Sequence, residues 1–531
     1  MHPEADSAER ALARTYNQMP YAGNPYCLTH PSLLSAFGCL YGLNPAPPES
    51  SRVLELGCGD GGNLVPMACQ LPESQFLGID LSTVQIKSGR TMCDALALKN
   101  IRLETRSILD IGASDGMFDY IVGHGVYSWV PDRVKTKILE ICRTNLSDQG
   151  IAYISYNVLP GWTFNRSMRD MMRYRTRRLK DPKKRTAAAL DLVKTMLDAT
   201  TDSTRVHDVQ LRFFGKSLNN SDDMSSYLLH EYMEANNDPI YFHQFTDALH
   251  SHGLAYICDA EQSDFEMDTL PADAAKKFEE IAEHALDLEQ YIDFLKNTRF
   301  RHSLVCRGGI ELNSDFRLDR LARLFAATDV APILDSTDSL PQKAKAFKTP
   351  KGRKFSTEHP LALNILRILS QIRPCTVDVS TLIQEVLALE SAKRAGDSRK
   401  RAEKIGHALY ALFFDGVVEL LGTPRRCVVD NIGDYPTAAP VSRLQAPSKR
   451  VTNLCHRTIS MNDDLACFVL ARLNGKRNRE ALLNLILEGL RSGEVTLPEP
   501  YKGSEAETWR SLAKQLESML HSMARCGFLI A

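Results

Sequence analysis

The sequence predicts an α/β protein with a mostly parallel, doubly wound sheet, a helical insertion and a mostly helical, winged-helix-like C-terminal region. Over the first 160 residues, short apolar runs alternate with stretches of helical periodicity. Such alternation is typical of the strands and helices of a parallel sheet. Beyond residue 160 the pattern is mostly helical, with few further strand candidates.

The predicted strands of the first region are rich in β-branched and apolar residues. They are 52–56, 75–79, 101–105, 118–122 and 150–156. Two later runs, 254–258 and 302–306, have the same character. A five-stranded open sheet would leave its last strand as an uncovered edge, which proteins tend to avoid. We therefore expect both later runs to complete the same sheet, with roughly residues 161–236 as an insertion.

Two proline-containing linkers divide the rest of the chain. The first, residues 339–360, is basic and has little apolar content, and the second covers residues 433–449. Helical patterns at 360–421 and 459–530 each end in a short apolar run. Helices followed by a small strand suggest winged-helix-like units.

The composition is that of an ordinary globular protein of 531 residues, 44% hydrophobic and 24% charged. Lys and Arg total 64 and Asp and Glu total 65, which argues against a nucleic-acid coat protein or a polybasic membrane binder. No apolar run reaches the roughly 18 residues of a transmembrane helix, and no signal peptide is recognisable. The 13 cysteines include no C-x-x-C pair, which fits a reducing compartment. We expect a cytoplasmic protein without membrane insertion.

The most specific motif is VLELGCGDGGN at residues 53–63, between the first strand and the first helix. Its glycines Gly57, Gly59 and Gly61 allow backbone amides to approach a ligand closely. The spacing differs from the G-x-G-x-x-G of most dinucleotide sites, and no Lys-Ser/Thr follows as in a phosphate loop. Asp80 ends the second strand, where a carboxylate can accept both hydroxyls of a ribose. NAD sites also use an acid there, so Asp80 alone does not decide the ligand.

Together the motif and Asp80 resemble class I S-adenosylmethionine-dependent methyltransferases, whose sheet is Rossmann-like. The resemblance implies that Glu55 orients the methionine end through its amino group, that the glycines line the cofactor and that Asp80 holds the ribose. Where the family commonly has an acid for the adenine amino group, this sequence has Ser107, with Asp110 three residues later. The predicted cofactor-binding residues are Glu55, Gly57, Cys58, Gly59, Asp80, Leu81, Gln85, Ser107, Ile108 and His124.

Five further segments narrow the resemblance to bacterial methyltransferases with a methyltransferase regulatory domain, a group that includes protein-lysine methyltransferases acting on outer-membrane proteins. In order, they are YNQMPYAGNPYCLTHP (16–31), NLVPMACQLP (63–72), HGVYSWVP (124–131), SYNVLPGW (155–162) and HEYMEANNDPIYFHQF (230–245). The C-terminal third resembles the winged-helix-like tail of the group more loosely. The resemblance implies a protein substrate, with an outer-membrane or envelope protein as one class, and a homodimer formed through the insertion.

The expected domains combine these patterns with the resemblance. They are an S-adenosylmethionine-binding methyltransferase core (1–160), a helical insertion (161–236), a regulatory region that completes the core sheet (237–310), a winged-helix-like helical domain (311–445) and a C-terminal helical domain (446–531).

The segment after the fourth strand supplies the predicted acceptor site, because open α/β sheets bind ligands at the carboxyl ends of strands. Methyl transfer is an in-line displacement, so the enzyme mainly aligns and desolvates the reactants. The resemblance favours lysine, whose amine must arrive neutral, and an apolar aromatic pocket lowers its pKa. The predicted catalytic residues are Tyr127, Trp129, Tyr156 and Asn157, with Trp162 as a further wall and His124 as a further polar guide. Packing in the core is the alternative role of these aromatic side chains.

Several other residues have two interpretations. Three tyrosines either close the pocket as a lid or pack on the surface: Tyr16, Tyr21 and Tyr26. Three histidines lack a fourth ligand at suitable spacing, so no metal site is expected: His243, His250 and His252. The basic run 166–185 has methionines at helical spacing, which favours a solvated or partner-facing helix over a nucleic-acid site.

Three other functions stay open at this stage. A nucleic-acid methyltransferase is disfavoured, because GHGVYSWVP replaces the N/D-P-P-Y/F of amino-adenine enzymes and no aromatic clamp lies in a basic groove. A small-molecule methyltransferase would not need a tail of over 200 residues. The remaining alternative is a regulatory protein that senses S-adenosylmethionine without turnover.

Overall fold

The computed structural model describes most of the chain. The described residues are 17–18, 20, 23–200, 204–218, 224–234, 236–261, 271–333, 345–349, 352–391, 397–496 and 505–531. A seven-stranded sheet forms the centre of the N-terminal part. Its strands are β1 (Arg52–Leu56), β2 (Gln75–Asp80), β3 (Ile101–Thr105), β4 (Phe118–Gly123), β5 (Leu146–Asn157), β6 (Leu254–Asp259) and β7 (Phe300–Arg307).

The sheet has the strand order β3-β2-β1-β4-β5-β7-β6. The first five strands pair in parallel, and β7 runs antiparallel between β5 and β6. The prediction that 254–258 and 302–306 complete this sheet is therefore confirmed. In β1, residues 53–56 are all buried, as expected of a strand covered on both faces by helices. The fifth strand begins at Leu146, four residues before the prediction.

Helices flank the sheet and provide the connections between its strands. Those before β6 in the chain are α1 (Pro31–Leu40), α2 (Leu64–Gln70), α3 (Thr83–Ala95), α4 (Asp132–Asn145), α5 (Trp162–Thr176), α6 (Pro182–Asp198), α7 (Val206–Leu218), α8 (Met224–Tyr232) and α9 (Phe242–Ser251). The Ser82 hydroxyl accepts a hydrogen bond from the Gln85 amide and caps the N-terminus of α3. Helices α5–α8 follow β5 and form a separate apolar core, which also includes Trp129.

The remainder of the described chain consists of helices with small sheets. Its elements are α10 (Ala272–Ile281), α11 (Ala285–Lys296), α12 (Leu318–Leu321), β8 (Phe325–Ala327), β9 (Ala331–Ile333), β10 (Ala346–Lys348), β11 (Lys354–Ser356), α13 (Pro360–Ile372), β12 (Val377–Asp378), α14 (Val379–Ser391), α15 (Ser398–Phe414), β13 (Glu419–Leu421), α16 (Pro440–Gln445), β14 (Arg450–Thr452), β15 (Thr458–Ser460), α17 (Asp464–Arg472), α18 (Arg479–Ser492) and α19 (Glu505–Arg525). Strands β12, β8 and β13 form one three-stranded sheet, and β14 pairs with β15. The predicted domain boundaries stay predictions.

The chain after β7, which we call the C-terminal part, lies against the N-terminal part that contains the central sheet. Gly422 N–H donates to the Ser32 carbonyl at 2.7 Å, and Thr423 N–H donates to the Ser32 hydroxyl at 3.1 Å. Helix α16 contacts α2, the helix that follows the glycine loop. These contacts place the C-terminal residues next to the carboxyl edge of the central sheet.

Two of the scattered cysteines are brought together by the fold. Cys375 and Cys427 form a disulfide although 52 residues separate them, and the other eleven cysteines are free. In the part of the chain that the structure describes, no helix has both the length and the apolar character that a membrane span requires.

Candidate functional site

The glycine loop after β1 adopts backbone conformations that favour glycine. Gly57, Gly59 and Gly61 have φ angles of +76°, +55° and +74°. Gly57 N–H and Cys58 N–H both donate to the Ile79 carbonyl of β2 at 2.9 Å. A Cβ on Gly57 would lie 2.7 Å from Val126 Cγ2, so a side chain there would also collide with the segment after β4. The loop is therefore held against the carboxyl ends of β1, β2 and β4, where glycine is required.

Asp80 is held in place at the end of β2. Its Oδ2 accepts from Gly59 N–H at 3.0 Å and its Oδ1 accepts from Ser82 N–H at 2.8 Å. Burial raises the pKa of this carboxyl group. Each carboxylate oxygen has a second lone pair, which leaves Asp80 able to accept two ribose hydroxyls in addition to the backbone bonds.

Glu55 is a buried carboxylate with one satisfied oxygen. Glu55 is only 4% exposed, and its Oε1 accepts a hydrogen bond from Asn63 Nδ2 at 2.7 Å. Oε2 has no hydrogen-bond partner among the described residues. Burial raises the pKa of Glu55 to about 8. The hydrogen bond from Asn63 opposes this shift, and the charges of Asp80 and Asp60 add smaller contributions to it. A cationic amino group at Oε2 would satisfy both the free oxygen and the charge.

A small cavity next to the glycine loop brings together five of the ten predicted cofactor-binding residues. Its volume is about 110 Å³. The predicted residues that line it are Gly57, Asp80, Leu81, Ser107, Ile108 and Trp129. Ser107, not Asp110, lines the cavity, and its hydroxyl accepts from Leu109 N–H at 3.1 Å. Sequence reasoning missed Arg106 and Val126, which also line it, although Val126 belongs to the segment HGVYSWVP.

The other predicted cofactor residues lie at or near the loop. Cys58 is buried, with its Sγ 3.7 Å from the Gly59 carbonyl oxygen. Gln85 is buried in α3, and its side chain would be 3.6 Å from a Cβ on Gly59. His124 lines a different and much larger cavity. Their contacts with the cofactor stay predictions.

This larger cavity has a volume of about 1240 Å³ and lies between the N-terminal segment, the carboxyl end of the sheet and the C-terminal part. Aromatic rings line part of its wall. The rings of Tyr26 and His124 have centroids 3.7 Å apart, and His124 Nδ1 lies 3.0 Å from the Tyr153 hydroxyl. Burial lowers the pKa of His124 to about 3 and of His302 to about 4. Both imidazoles are therefore neutral near pH 7, and we call these four side chains the aromatic cluster.

Three of the four predicted catalytic residues pack in the core. Tyr127 and Tyr156 are buried, with ring centroids 6.1 Å apart, and the Tyr156 hydroxyl lies 3.1 Å from Ser303 Oγ. Asn157 is also buried, and its N–H donates to Ser128 Oγ at 2.8 Å. None of these three lines the small cavity or the large cavity. Their catalytic role stays a prediction, and their contacts are those of packed core residues.

The remaining predicted aromatic residues are two tryptophans and the tyrosines of the predicted lid. Trp129 lines the small cavity on the cofactor side and packs edge-to-face on Trp162, with ring centroids 6.3 Å apart. Tyr26 lines the large cavity, whereas Tyr16 and Tyr21 lie outside the described residues. Sequence reasoning missed Tyr153 and His302, because their position on the cavity side of the sheet depends on how β5 and β7 pair.

Comparisons with known proteins agree with the fold and the site. A methyltransferase domain profile matches residues 48–209, a predicted methyltransferase regulatory domain matches 224–307, and the PKMT C-terminal winged helix domain matches 434–528. An uncharacterised protein of Rickettsia prowazekii is 32% identical over 516 residues, which are 96% of this chain and 91% of the relative. An uncharacterised protein of Synechocystis is 29% identical over 293 residues, 55% of this chain and 57% of that protein.

A solved structure shows the same similarity over nearly the whole chain. PKMT2 from Rickettsia typhi, solved in complex with AdoHcy, is 28% identical and superposes with a TM-score of 0.82 over 96% of this chain and all of the other. The fold and the site thus define a class I S-adenosylmethionine-dependent methyltransferase. Within that class, the chain belongs to the family of methyltransferases that combine a methyltransferase regulatory domain with a PKMT-type C-terminal winged helix domain.

S-adenosylmethionine is the cofactor of this chain, which confirms the sequence-based expectation. The local chemistry fits it. The free oxygen of Glu55 suits its amino group, the backbone of the glycine loop leaves room for it, and the carboxylate of Asp80 suits its ribose. The predicted fold class, with its winged-helix C-terminal region, is likewise confirmed.

Proposed function

We propose that this methyltransferase modifies a protein side chain, with lysine as the favoured acceptor and an outer-membrane or envelope protein as the expected substrate class. The observation that carries the proposal is the large cavity, which the aromatic cluster lines. Tyr26 of this cluster also donates its backbone N–H to Asn63, the last residue of the glycine-loop motif. The similarity to PKMT2, and the resemblance of the N-terminal motifs to protein-lysine methyltransferases, support the same acceptor.

The size of the cavity favours a macromolecular acceptor. Pockets for small ligands usually have volumes of about 300–1,000 Å³, whereas this cavity measures about 1240 Å³. It extends from the aromatic cluster to residues of the C-terminal part, such as Arg425 and Arg457. A single amino-acid side chain needs only the inner end, so the remaining volume is available for the polypeptide that bears it.

The inner end of the cavity suits an amine. When bound, S-adenosylmethionine supplies a methyl group on a sulfonium sulfur, which an amine lone pair displaces in line. Tyr26, His124 and Tyr153 form walls that exclude water, and desolvation lowers the pKa of a lysine amine towards the neutral, nucleophilic form. Neutral imidazoles do not repel the arriving ammonium group. Glu261, with its side chain 38% exposed and 3.6 Å from His302 Nδ1, adds a negative charge that attracts this group to the cavity.

The substrate class can be tested by methyl transfer from labelled S-adenosylmethionine into cell-envelope, cytosolic and nucleic-acid fractions. We expect label in protein, with Nε-methyllysine after hydrolysis, and no label with the Asp80→Ala variant. Label in nucleic acid or small molecules alone would contradict the proposal. Absence of label despite intact binding of S-adenosylhomocysteine would favour a non-catalytic sensor.

Two tyrosines on β5 provide a matched test of the acceptor site. Tyr153 and Tyr156 lie on opposite faces of the strand, since the first belongs to the large cavity and the second to the core beneath the other face. Tyr153→Phe removes the hydrogen bond to His124 and should lower kcat by about fivefold, the effect of one hydrogen bond of ~1 kcal/mol. Tyr156→Phe removes only the contact with Ser303 and should change kcat by less than about twofold. A larger loss for Tyr156→Phe would instead support its predicted catalytic role.

We also propose that the chain forms a homodimer through the insertion, as the family resemblance implies. Helix α7 supports this proposal with exposed apolar side chains at spacings of three and four residues: Val206, Val209 and Phe213. Phe213→Asp should convert a dimer to a monomer in light scattering after size-exclusion chromatography. A wild-type protein that is monomeric at micromolar concentration would contradict the proposal.

A further inference from the structure

One side chain of the C-terminal part reaches the cofactor site. His456 lies in the turn between β14 and β15, is 2% exposed and has a φ angle of +56°. Its Nε2 is 2.8 Å from Oδ1 of Asn63, a residue 393 positions earlier in the chain. Left-handed backbone is costly for a non-glycine residue and persists where the surroundings enforce it. The turn therefore holds the imidazole against Asn63 at a conformational cost.

The hydrogen bonds around Asn63 determine the orientation of its amide group and the position of the proton on His456. Asn63 Nδ2 donates to Glu55 Oε1 at 2.7 Å, so the amide oxygen of Asn63 faces the other way. That oxygen accepts from Tyr26 N–H at 2.9 Å and must also accept from His456. The imidazole therefore carries its proton on Nε2, and its Nδ1 has no hydrogen-bond partner within the described residues.

We propose that His456 is a positioning residue for the cofactor. It holds the Asn63 amide in the orientation that fixes the Glu55 carboxylate, so that the free Oε2 presents itself to the amino group of S-adenosylmethionine. The proposal rests on the role of Glu55 as the partner of that amino group. It does not depend on whether the methyl acceptor is a lysine.

The consequence is that the C-terminal part completes the cofactor site. Further contacts dock it nearby: Thr423 N–H bonds to the Ser32 hydroxyl, and Arg450 Nη2 donates to Asn24 Oδ1 at 3.0 Å. A ligand that binds better when His456 is in place must, by thermodynamic linkage, also stabilise the docked C-terminal part. Occupation of the cofactor site and docking of this part are thereby coupled.

The test compares two ligands that differ only at the amino-acid end. S-adenosylhomocysteine has the amino group, whereas 5′-methylthioadenosine lacks the whole amino-acid end. By calorimetry, His456→Ala should weaken S-adenosylhomocysteine binding about tenfold, or ~1.4 kcal/mol, and change methylthioadenosine binding less than about twofold. His456→Gln, whose side-chain amide retains a donor at a comparable distance, should restore most of the loss. Equal weakening of both ligands, or no weakening of either, would overturn the proposal.

Two control variants separate this proposal from its premise. In a Glu55→Gln background, His456→Ala should have little further effect on S-adenosylhomocysteine binding, because the group through which it acts is gone. If Glu55→Gln alone leaves that affinity unchanged, the premise about Glu55 fails. Arg450→Ala removes a docking contact outside this hydrogen-bond chain, so it should keep the ratio of the two affinities. If Arg450→Ala keeps the wild-type melting temperature, and so a docked C-terminal part, but still loses S-adenosylhomocysteine binding selectively, His456 is not responsible.

Discussion

Replacement of Glu55 by glutamine tests whether a buried carboxylate awaits the amino group of the cofactor. The substitution removes the charge and leaves an oxygen able to accept from Asn63 Nδ2. In the folded protein without cofactor, burial raises the pKa of Glu55 to about 8 from its ordinary value of 4.5, and the nearby Asp80 and Asp60 add to this effect. Glu55 is therefore mostly protonated at pH 7 until a cation arrives.

The sign and size of the effect follow from this shift. Because the folded state holds the Glu55 proton more tightly than the unfolded state, stability falls as the pH rises from 4.5 to about 8. At 1.36 kcal/mol per pKa unit, this carboxyl group should cost wild-type protein about 3 kcal/mol more at pH 8 than at pH 5. Glu55→Gln lacks this cost. The melting temperature of the variant, relative to that of wild type, should therefore rise from pH 5 to pH 8.

Cofactor binding should favour the ionised form of Glu55 and release its proton. With a pKa near 8, about nine-tenths of Glu55 is protonated at pH 7, so binding of S-adenosylhomocysteine should release about 0.9 proton. The affinity of wild type should then rise about tenfold per unit between pH 6 and 7. Calorimetry in two buffers of different ionisation enthalpy measures the released protons.

Glu55→Gln should release almost none and bind more weakly by at least about tenfold, the value of one hydrogen bond between charged groups. Equal proton release by wild type and variant, or equal affinity, would refute the assignment of Glu55 to the amino group.

Three further substitutions test the cofactor side of the site. Asp80→Asn should weaken S-adenosylhomocysteine binding at least about tenfold in calorimetry, because a charged acceptor of the ribose hydroxyls is lost; unchanged affinity would argue against a ribose contact. Trp129→Ala removes contacts with Trp162 and with the small cavity, so denaturant unfolding should show a loss of about 3–5 kcal/mol together with weaker cofactor binding. A loss of turnover alone would instead support the predicted role of Trp129 in the acceptor pocket. Gly57→Ala should lower both melting temperature and cofactor affinity, since its φ of +76° and the 2.7 Å approach to Val126 leave no room for a methyl group. Normal binding by this variant would contradict the strained loop.

The strands and the glycine loop could be predicted because their signals are local. Buried parallel strands appear as short apolar runs, and the loop needs glycine wherever φ is positive, as at Gly57 and Gly59. The carboxylates Glu55 and Asp80 stand at fixed distances from that loop along the chain. The sequence thus determined the fold class, and it predicted the cofactor end of the site.

The acceptor side could not be predicted in the same way. Successive side chains of a strand point to opposite faces. Tyr153 and Tyr156 are three residues apart on β5, so they lie on opposite faces, and both are buried. An apolar pattern on both faces does not reveal which face borders the large cavity. Sequence reasoning therefore had no local signal with which to choose between Tyr153 and Tyr156.

The sequence by itself determined the fold class and predicted a cofactor site that is built from one strand–loop–helix unit and the end of the next strand. Only the tertiary structure decided what surrounds it. His302 reaches the aromatic cluster because β7 inserts antiparallel beside β5, and His456 reaches Asn63 because the C-terminal part folds back over 393 residues. Contacts of this kind depend on how distant segments pack together, and no spacing of residues along the chain encodes them.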